Sequence, residues 1–273
     1  MAITSFIPEI WNAQLLLDFR EQTVAAALTN REYEGNATAG NTVRINTAAA
    51  VAVKDYKAAN RTTSADAVST TSQDLPIDQE KNFDFYVDDI DKAQAAGSMD
   101  AFTRSAGEGL AEDADKFILS TAVTSAGTVL PSANLTPATA FDVIRDLRKA
   151  LSKAKVPLAN RVLIVNAEFE AILLSSDAKL TNVDQSGSSE GLRNASLGRL
   201  LGFDIYTSEN LPTVAAPQAL AFYRPSVAYV SQVEKTEAMR AVDKFADRLR
   251  GLHVYGTKVI RPTGVAVFTD TTA

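Results

Sequence analysis

The sequence predicts a mixed α+β protein in which one body is interrupted by a compact α/β segment. Three observations lead there. Alternating strand-like stretches at Val43–Thr47 and Phe83–Val87 flank a long Ala/Thr/Ser-rich run. A three-and-four apolar spacing runs from Met99 to Thr121, the pattern of a long helix. Helix and strand signals then alternate from Thr136 to about Pro225, before the chain returns to strands.

In chain order, Phe6 to Leu28 reads as helix, with Ile7, Ile10, Trp11 and Leu15 on an apolar stripe and Pro8 in the first turn. Asn30 to Asn41 is a polar tether. The strand VRINT (Val43–Thr47) opens the low-complexity stretch Thr47–Gln73, and strand character resumes at Phe83, Phe85 and Val87. Between those strands there is too little large apolar surface to offset the ordering of roughly 35 residues, at about 1–2 kcal/mol each. Two readings follow: a disordered loop, or a β-hairpin arm ordered by a partner. The balanced charge and the scattered Val51, Val53, Tyr56, Val68, Leu75 and Ile77 favour the arm. Ser98 is a suitable N-cap for a helix reaching Thr124, about 40 Å at 1.5 Å per residue. Gly107 and Gly109 weaken that helix, or let another backbone come close. Thr136-Pro137 caps the next helix, whose buried stripe is Phe141, Ile144, Leu147 and Leu151. Arg161–Val165 reads as a buried strand and Asn166 as the cap of a helix through Leu174. Ser175–Ser196 reads as a long exposed loop. Strands are expected at Leu200–Thr207, Ala219–Tyr223, Ser226–Val233, Leu252–Arg261 and Val265–Thr269.

Composition removes several function classes. The 273 residues include no cysteine and one histidine, so disulfides, thiolate zinc sites, cysteine nucleophiles and multi-histidine metal sites are excluded. A net charge of −6 argues against a nucleic-acid-gripping surface. The opening MAITSFIPEIW has neither the basic nor the apolar region of a secretory signal, and no apolar run approaches a membrane span. The expectation is a soluble protein of the cytoplasm.

Chemistry-bearing motifs are few. His253 lies in an alternating stretch without a nucleophile elbow, and is expected to be a surface or interface histidine. Gly107-Glu108-Gly109 lacks the third glycine of a dinucleotide fingerprint and follows no strand. Asp88, Asp89 and Asp91 form one acidic cluster, and Glu112, Asp113 and Asp115 another; either could hold Mg²⁺ or Ca²⁺. Helix neighbours at i and i+1 do not share a face, so a solvated or salt-bridged surface is the expectation. Asn36, Asn60, Asn134 and Asn194 begin chance matches to the glycosylation sequon, and the run Lys235–Arg250 is balanced by acids. No catalytic residue, cofactor-binding residue or metal ligand is assigned, and the chain is expected not to be an enzyme.

The order of helical arm, extended β arm, long helix, inserted α/β segment and closing strands resembles the Hong Kong 97-type major capsid (coat) protein of tailed bacteriophages. FIPEIWNAQLLLDFREQTV resembles the opening of such proteins, VRINT resembles the start of their extended loop, and FYRPSVAYVSQV with ADRLRGLHVYGTKVIRPTGVAVF resembles their C-terminal half. The resemblance implies an N-terminal arm at 1–42, an E-loop at 43–87, a peripheral domain with its spine helix at 88–130 and 226–273, and an axial domain at 131–225. It implies self-assembly into pentamers and hexamers of an icosahedral shell around double-stranded DNA, in the host bacterial cytoplasm. DNA would be held without sequence-specific binding, which suits an acidic wall. The expected partner is further copies of the chain; a portal and decoration proteins are further candidates, and since the arm starts at Met1, scaffolding is either a separate protein or not used; no membrane is involved. Lys54 and Lys57 lie at the base of the E-loop in this reading, without a sign of crosslinking chemistry. The alternatives are an encapsulin-like nanocompartment shell, a soluble α/β enzyme with a metal at Asp88, Asp89 and Asp91, and a tail or adhesin protein with a β arm.

Overall fold

A computed structural model describes residues 23–34, 41–49, 51–63, 65–88, 100–175, 198–213, 215–241 and 244–271. Three sheets organise them. A two-stranded ribbon pairs β1 (Thr42–Ala48) with β2 (Thr70–Pro76). A long sheet has the order β3 (Gln79–Asp88), β10 (Ala246–Val259), β9 (Val227–Arg240). A six-stranded sheet runs β4 (Thr128–Val129), β11 (Val265–Thr269), β8 (Gln218–Tyr223), β5 (Arg161–Val165), β7 (Phe203–Thr207), β6 (Arg199–Leu200). The helices are α1 (Ala25–Leu28), α2 (Asp100–Thr124), α3 (Pro137–Lys153) and α4 (Ala167–Leu173).

The six-stranded sheet is covered on both faces, which is why RVLIV is apolar without alternation and buried at every position. On one face Ile144, Leu147 and Leu151 of α3 and Phe169 of α4 pack against Leu163, Val165 and Phe268. On the other, Val162, Ile164, Leu220 and Phe222 meet Ile118, Leu119 and Ala122 of α2 together with Ala25 and Leu28 of α1. Local chemistry fixes the ends of these helices. Pro137 occupies the first turn of α3, and the Thr136 amide donates to Thr139 Oγ1 at 2.9 Å. Asn166 Oδ1 accepts from the Phe169 amide at 3.1 Å and so caps α4. The buried Arg161 guanidinium donates to the carbonyls of Pro157 (2.8 Å) and Val156 (2.6 Å) and to Ser152 Oγ (3.1 Å), closing the C-terminal end of α3 without a carboxylate. The expected strand Leu200–Thr207 is instead the hairpin β6–β7. Leu201 (φ 48°) and Gly202 (φ 83°) turn it in the left-handed region.

The long sheet departs further from the sequence-based expectation. Strand signals were expected to stop at Val233 and resume at Leu252, yet β9 and β10 continue through the charged run as a hairpin. Cross-strand ion pairs take the place of apolar alternation: Arg250 Nη2–Glu237 Oε2 at 2.6 Å, Arg240–Asp247 at 3.0 Å, and a bidentate Arg248–Asp84 pair to β3. Charge in this stretch marks a solvated strand surface.

Two segments sit in different sheets from those the domain boundaries imply. β3 pairs along its whole length with β10, from Asp88↔Ala246 to Gln79↔Tyr255, so Phe83–Val87 belongs to the long sheet and the ribbon proper is 42–76. β11 joins β8 and β4 in the six-stranded sheet, whose remaining strands fall mostly within 131–225. α2 connects the two large sheets: Phe117 meets the ring of Tyr255 edge-on at 5.8 Å, while Ile118 and Leu119 belong to the core under the six-stranded sheet.

Candidate assembly interface

The ribbon β1–β2 has a root and a tip with opposite properties. At the root Val43, Ile45, Leu75 and Ile77 are buried against Ala228, Val230 and Ile260 of the body. Alternation along β1 places Val43 and Ile45 inward and Arg44 and Asn46 outward. Lys258 Nζ donates to the Asp74 carbonyl at 2.6 Å. Gly256 of β10 lies so close under Pro76 and Ile77 that a Cβ there would overlap the Pro76 carbonyl oxygen. The arm is thus fastened to its own subunit.

Outward, the ladder ends where the Ala49 amide donates to the Ser69 carbonyl at 3.0 Å. The end of the arm is a compact turn. Asp55 Oδ1 accepts from the amides of Lys57 (2.9 Å) and Ala58 (3.2 Å), and Thr62 Oγ1 donates to the Ala59 carbonyl (2.6 Å). Asn60 and Arg61 take φ of 51° and 57° to reverse the chain. Lys54 and Asp66 bridge the two limbs at 2.6 Å. Lys54 and Lys57 therefore belong to the far end of the arm and not to its base. Tip apolar groups have no core to enter: Val51 is 74% exposed, Val53 100%, Tyr56 54% and Val68 73%. Three of these four are β-branched aliphatics, an exposed apolar surface that fits against another molecule better than against water.

The remaining candidates are dispersed. His253 is not at the surface: it is 6% exposed, with Nε2 3.2 Å from Ser231 Oγ and its ring centroid 4.7 Å from that of Tyr255. Paired strand residues share a face, and His253 lies on the α2-facing side of β10 with Tyr255. Asp88 ends β3, while Asp89 and Asp91 lie outside the described residues. Glu112, Asp113 and Asp115 point three ways. Glu112 pairs with Lys116 at 2.6 Å, and Asp113 Oδ2 accepts from the Tyr255 hydroxyl at 2.7 Å. Burial and that bond push the Tyr255 phenol well up from its ordinary range. Asp115, expected on a solvated or salt-bridged face, is wholly buried. Among the described residues no group of three or more potential ligands could hold a metal ion. A Cβ at Gly107 would meet nothing within 4 Å, so among the described residues no other backbone approaches there. Of the four sequon asparagines, Asn60 sits in the arm turn and Asn134 precedes α3, whereas Asn36 and Asn194 lie outside the described residues. The expected helix 6–28 also lies outside them, apart from α1.

Asp115 organises the place where the N-terminal segment joins the body. Its Oδ1 accepts from the amides of Val24 (3.1 Å) and Ala25 (2.7 Å), and its Oδ2 from Asn210 Nδ2 (3.0 Å). One side chain of α2 thereby ties α1 to the 208–211 loop. Burial raises its pKa above the ordinary carboxylate value, opposed by the bonds from Asn210 and the backbone. Sequence reasoning missed this role, because a carboxylate in an acidic run gives no sign of which member turns inward.

The long sheet adds a second exposed surface. Its outward face carries Asp84, Lys235, Glu237, Arg248 and Arg250 along an open groove of about 520 Å³. Hydrogen bonds from Lys235 and then Arg250 hold Glu237 down to about 2. Beyond the β9–β10 hairpin end, Phe245 is 83% exposed, and the Lys244 and Arg248 cations each lie 5.5 Å from the Tyr86 ring centre.

Comparisons with known proteins agree with a shell-building architecture. The family model described as phage capsid protein matches residues 70–268. A solved structure from Mycobacterium phage Che8 is 52% identical, with a TM-score of 0.90 over 98% of each chain. The capsid structure of cyanophage P-SCSP1u superposes with a TM-score of 0.82 at 15% identity, covering 98% of this chain and 94% of that one. A virus-like particle from Pyrococcus furiosus shares the fold more distantly, at 15% identity and a TM-score of 0.56 over 84% of this chain and 86% of that one. None of the curated proteins compared with it matches. A body with a long helix joining its two large sheets, an arm fastened at its root and bare at its tip, and a phage capsid family model matched over residues 70–268 lead to one conclusion: the chain belongs to the phage capsid protein family and is a structural major capsid protein of the Hong Kong 97-type fold.

Proposed function

We propose that the subunit builds pentamers and hexamers of an icosahedral shell around double-stranded DNA, and that its 42–76 ribbon is the E-loop by which each copy is held by a neighbour. The observation that carries this is the contrast along the arm: a buried apolar root and a tip bearing Val51, Val53, Tyr56 and Val68 in solvent. Among the described residues the arm's own subunit supplies no surface for those side chains; a second copy would. In this reading the long sheet with α2 (79–127 and most of 226–264) forms the peripheral domain, the six-stranded sheet with α3 and α4 forms the axial domain, and 1–41 is the N-terminal arm. Shell formation is a binding process with no chemical step, so the subunit acts without a catalytic residue, cofactor or metal. A net charge of −6 supports containment of DNA without gripping it. A separate scaffolding protein, a portal and decoration proteins complete the particle, which assembles in the host cytoplasm.

Each tip contact is small, so a misplaced subunit leaves before neighbours lock it, and closure comes from many such contacts acting together. The test is to replace residues 51–68 by a short Gly-containing turn that joins β1 to β2. The variant is expected to keep its circular dichroism and melting transition and to stay a monomer or small oligomer by size exclusion, with no shells in negative stain. Normal shells from this variant would remove the arm from assembly.

A further inference from the structure

We infer that copies of this chain also meet head to tail through the two ends of the six-stranded sheet, the 154–160 loop of one copy seating on α4 of the next; this rests on the shell reading above. The two surfaces lie beyond opposite ends of β5, whose five residues span about 16 Å at about 3.3 Å each. The loop is ordered by its own subunit. Its Lys155 and Val156 amides donate to the carbonyls of Ser152 (3.0 Å) and Leu151 (3.1 Å), and Lys155 takes a φ of 58° as the chain leaves α3. Arg161 holds the Val156 and Pro157 carbonyls from beneath, and the Asn160 carbonyl accepts from the Arg224 amide at 3.1 Å. On this fixed backbone Pro157, Leu158 and Ala159 are all exposed, with Leu158 60% in solvent. A lone exposed leucine says little, but an apolar run whose backbone is already ordered meets a partner without an ordering cost.

Charge separates the two ends. Lys153 and Lys155 are both exposed beside the loop, and neither forms an ion pair among the described residues. The Arg161 charge below them is met by carbonyls and the Ser152 hydroxyl. At the other end α4 exposes Ala167, Glu168 and Ala171, which share one side of the helix. Glu170 is half-buried there, and Glu209 accepts from the Ala167 amide. Glu168 and Glu170 likewise form no ion pair among the described residues. Helix dipoles favour Lys153 and the two glutamates where they stand, but account for neither Lys155 nor the exposed apolar run. Within one copy β5 keeps the two ends apart. Between copies they are complementary, lysines against glutamates and Leu158 against alanines small enough to leave it room. This complementarity, in a chain of the phage capsid protein family, selects a second copy as the occupant. Contact between two different surfaces of the same chain is heterologous, and its repetition about an axis closes a ring.

Charge exchange tests the contact. Lys153→Glu with Lys155→Glu reverses one end, Glu168→Lys with Glu170→Lys reverses the other, and the four substitutions together restore complementarity between every pair of copies. Each reversal is expected to raise the concentration needed for assembly by about 10-fold or more, with the subunit still folded by circular dichroism, and the fourfold exchange to return it to within about 3-fold of wild type. Leu158→Ser changes a side chain outside the buried clusters, so it decides the matter even where a charge variant folds poorly. It too is expected to raise the assembly concentration about 10-fold. Wild-type assembly by either reversal or by Leu158→Ser overturns the contact, as does a fourfold exchange no better than its parents. A disabled lysine reversal beside an indifferent glutamate reversal would hand the basic end to DNA, and overturns the contact equally. A wild-type chain that forms neither rings nor shells removes the shell reading and this contact with it; intact wild-type shells beside indifferent variants remove this contact alone.

Discussion

Replacing Asp115 is the sharpest test of how this subunit holds its N-terminal segment. Asp115→Ala removes the acceptor for the amides of Val24 and Ala25 and for Asn210 Nδ2, at 3.1, 2.7 and 3.0 Å. A buried donor left without a partner costs about 1–3 kcal/mol, so three donors, one of them only part-buried, give a loss of about 3–6 kcal/mol. Against a domain stability of about 5–15 kcal/mol that is a large fraction, and some preparations of Asp115→Ala will not fold. Asp115→Asn is the informative companion. Its Oδ1 still receives the two amides, and the Asn210 carboxamide can turn over to accept from the new amino group, so the loss is expected to be within about 1 kcal/mol. Asn210→Asp places two carboxylates face to face and is expected to lose stability as pH rises, while the double exchange Asp115→Asn with Asn210→Asp restores complementarity. Urea denaturation followed by circular dichroism measures each. Because burial holds the folded-state pKa of Asp115 above its unfolded value, its contribution is fully present below the unfolded carboxylate pKa and declines as pH rises through the folded one. Asp115→Asn should flatten that slope. Equal losses for Asp115→Ala and Asp115→Asn would refute the acceptor role, as would unchanged exchange of the Val24 and Ala25 amides in Asp115→Ala.

Three further outcomes are expected. Gly256→Ala should cost about 3 kcal/mol by thermal or urea melting and speed proteolysis of the arm, since its Cβ would overlap the Pro76 carbonyl at the arm's root. Arg161→Leu should cost about 1–3 kcal/mol, because the part-buried carbonyls of Val156 and Pro157 lose a charged donor, and Arg161→Lys should recover only part of it. Glu237 should titrate near 2 by carboxyl carbon NMR and move back up toward ordinary carboxylate values in Arg250→Ala. Its pairing with Lys235 and Arg250 is complete above the ordinary carboxylate pKa and is lost as pH falls toward about 2.

The elements with strong periodicity were legible. α2 ends at Thr124 as its apolar spacing implies, α3 starts at Pro137, and the apolar run Arg161–Val165 is a strand buried on both faces. The ribbon was legible as a need for a partner, from its composition. What escaped was structure written in polar residues. β2 is TTSQDLP, with Leu75 as its one fully buried side chain, and it is a strand because β1 and the body hold it. The middle of the β9–β10 hairpin reads as a balanced charge run, and is a strand pair because Glu237, Arg250, Arg240 and Asp247 meet across it. The same blindness hid Asp115 and the burial of His253: burial of a polar side chain depends on which face of α2 or β10 meets another sheet, a tertiary fact.

The position of β11 sets a timetable for the subunit's birth. Residues 265–269 lie between β4 and β8, so the six-stranded sheet stays split, with β8 lacking a neighbour, until that segment has left the ribosome. The arm, encoded some two hundred residues earlier, emerges long before the body that anchors its root at Ala228, Val230 and Ile260 exists. A nascent chain therefore cannot present a fastened arm to finished neighbours. An unfinished chain on a polysome thus lacks the anchored arm and the joined sheet that a finished subunit carries.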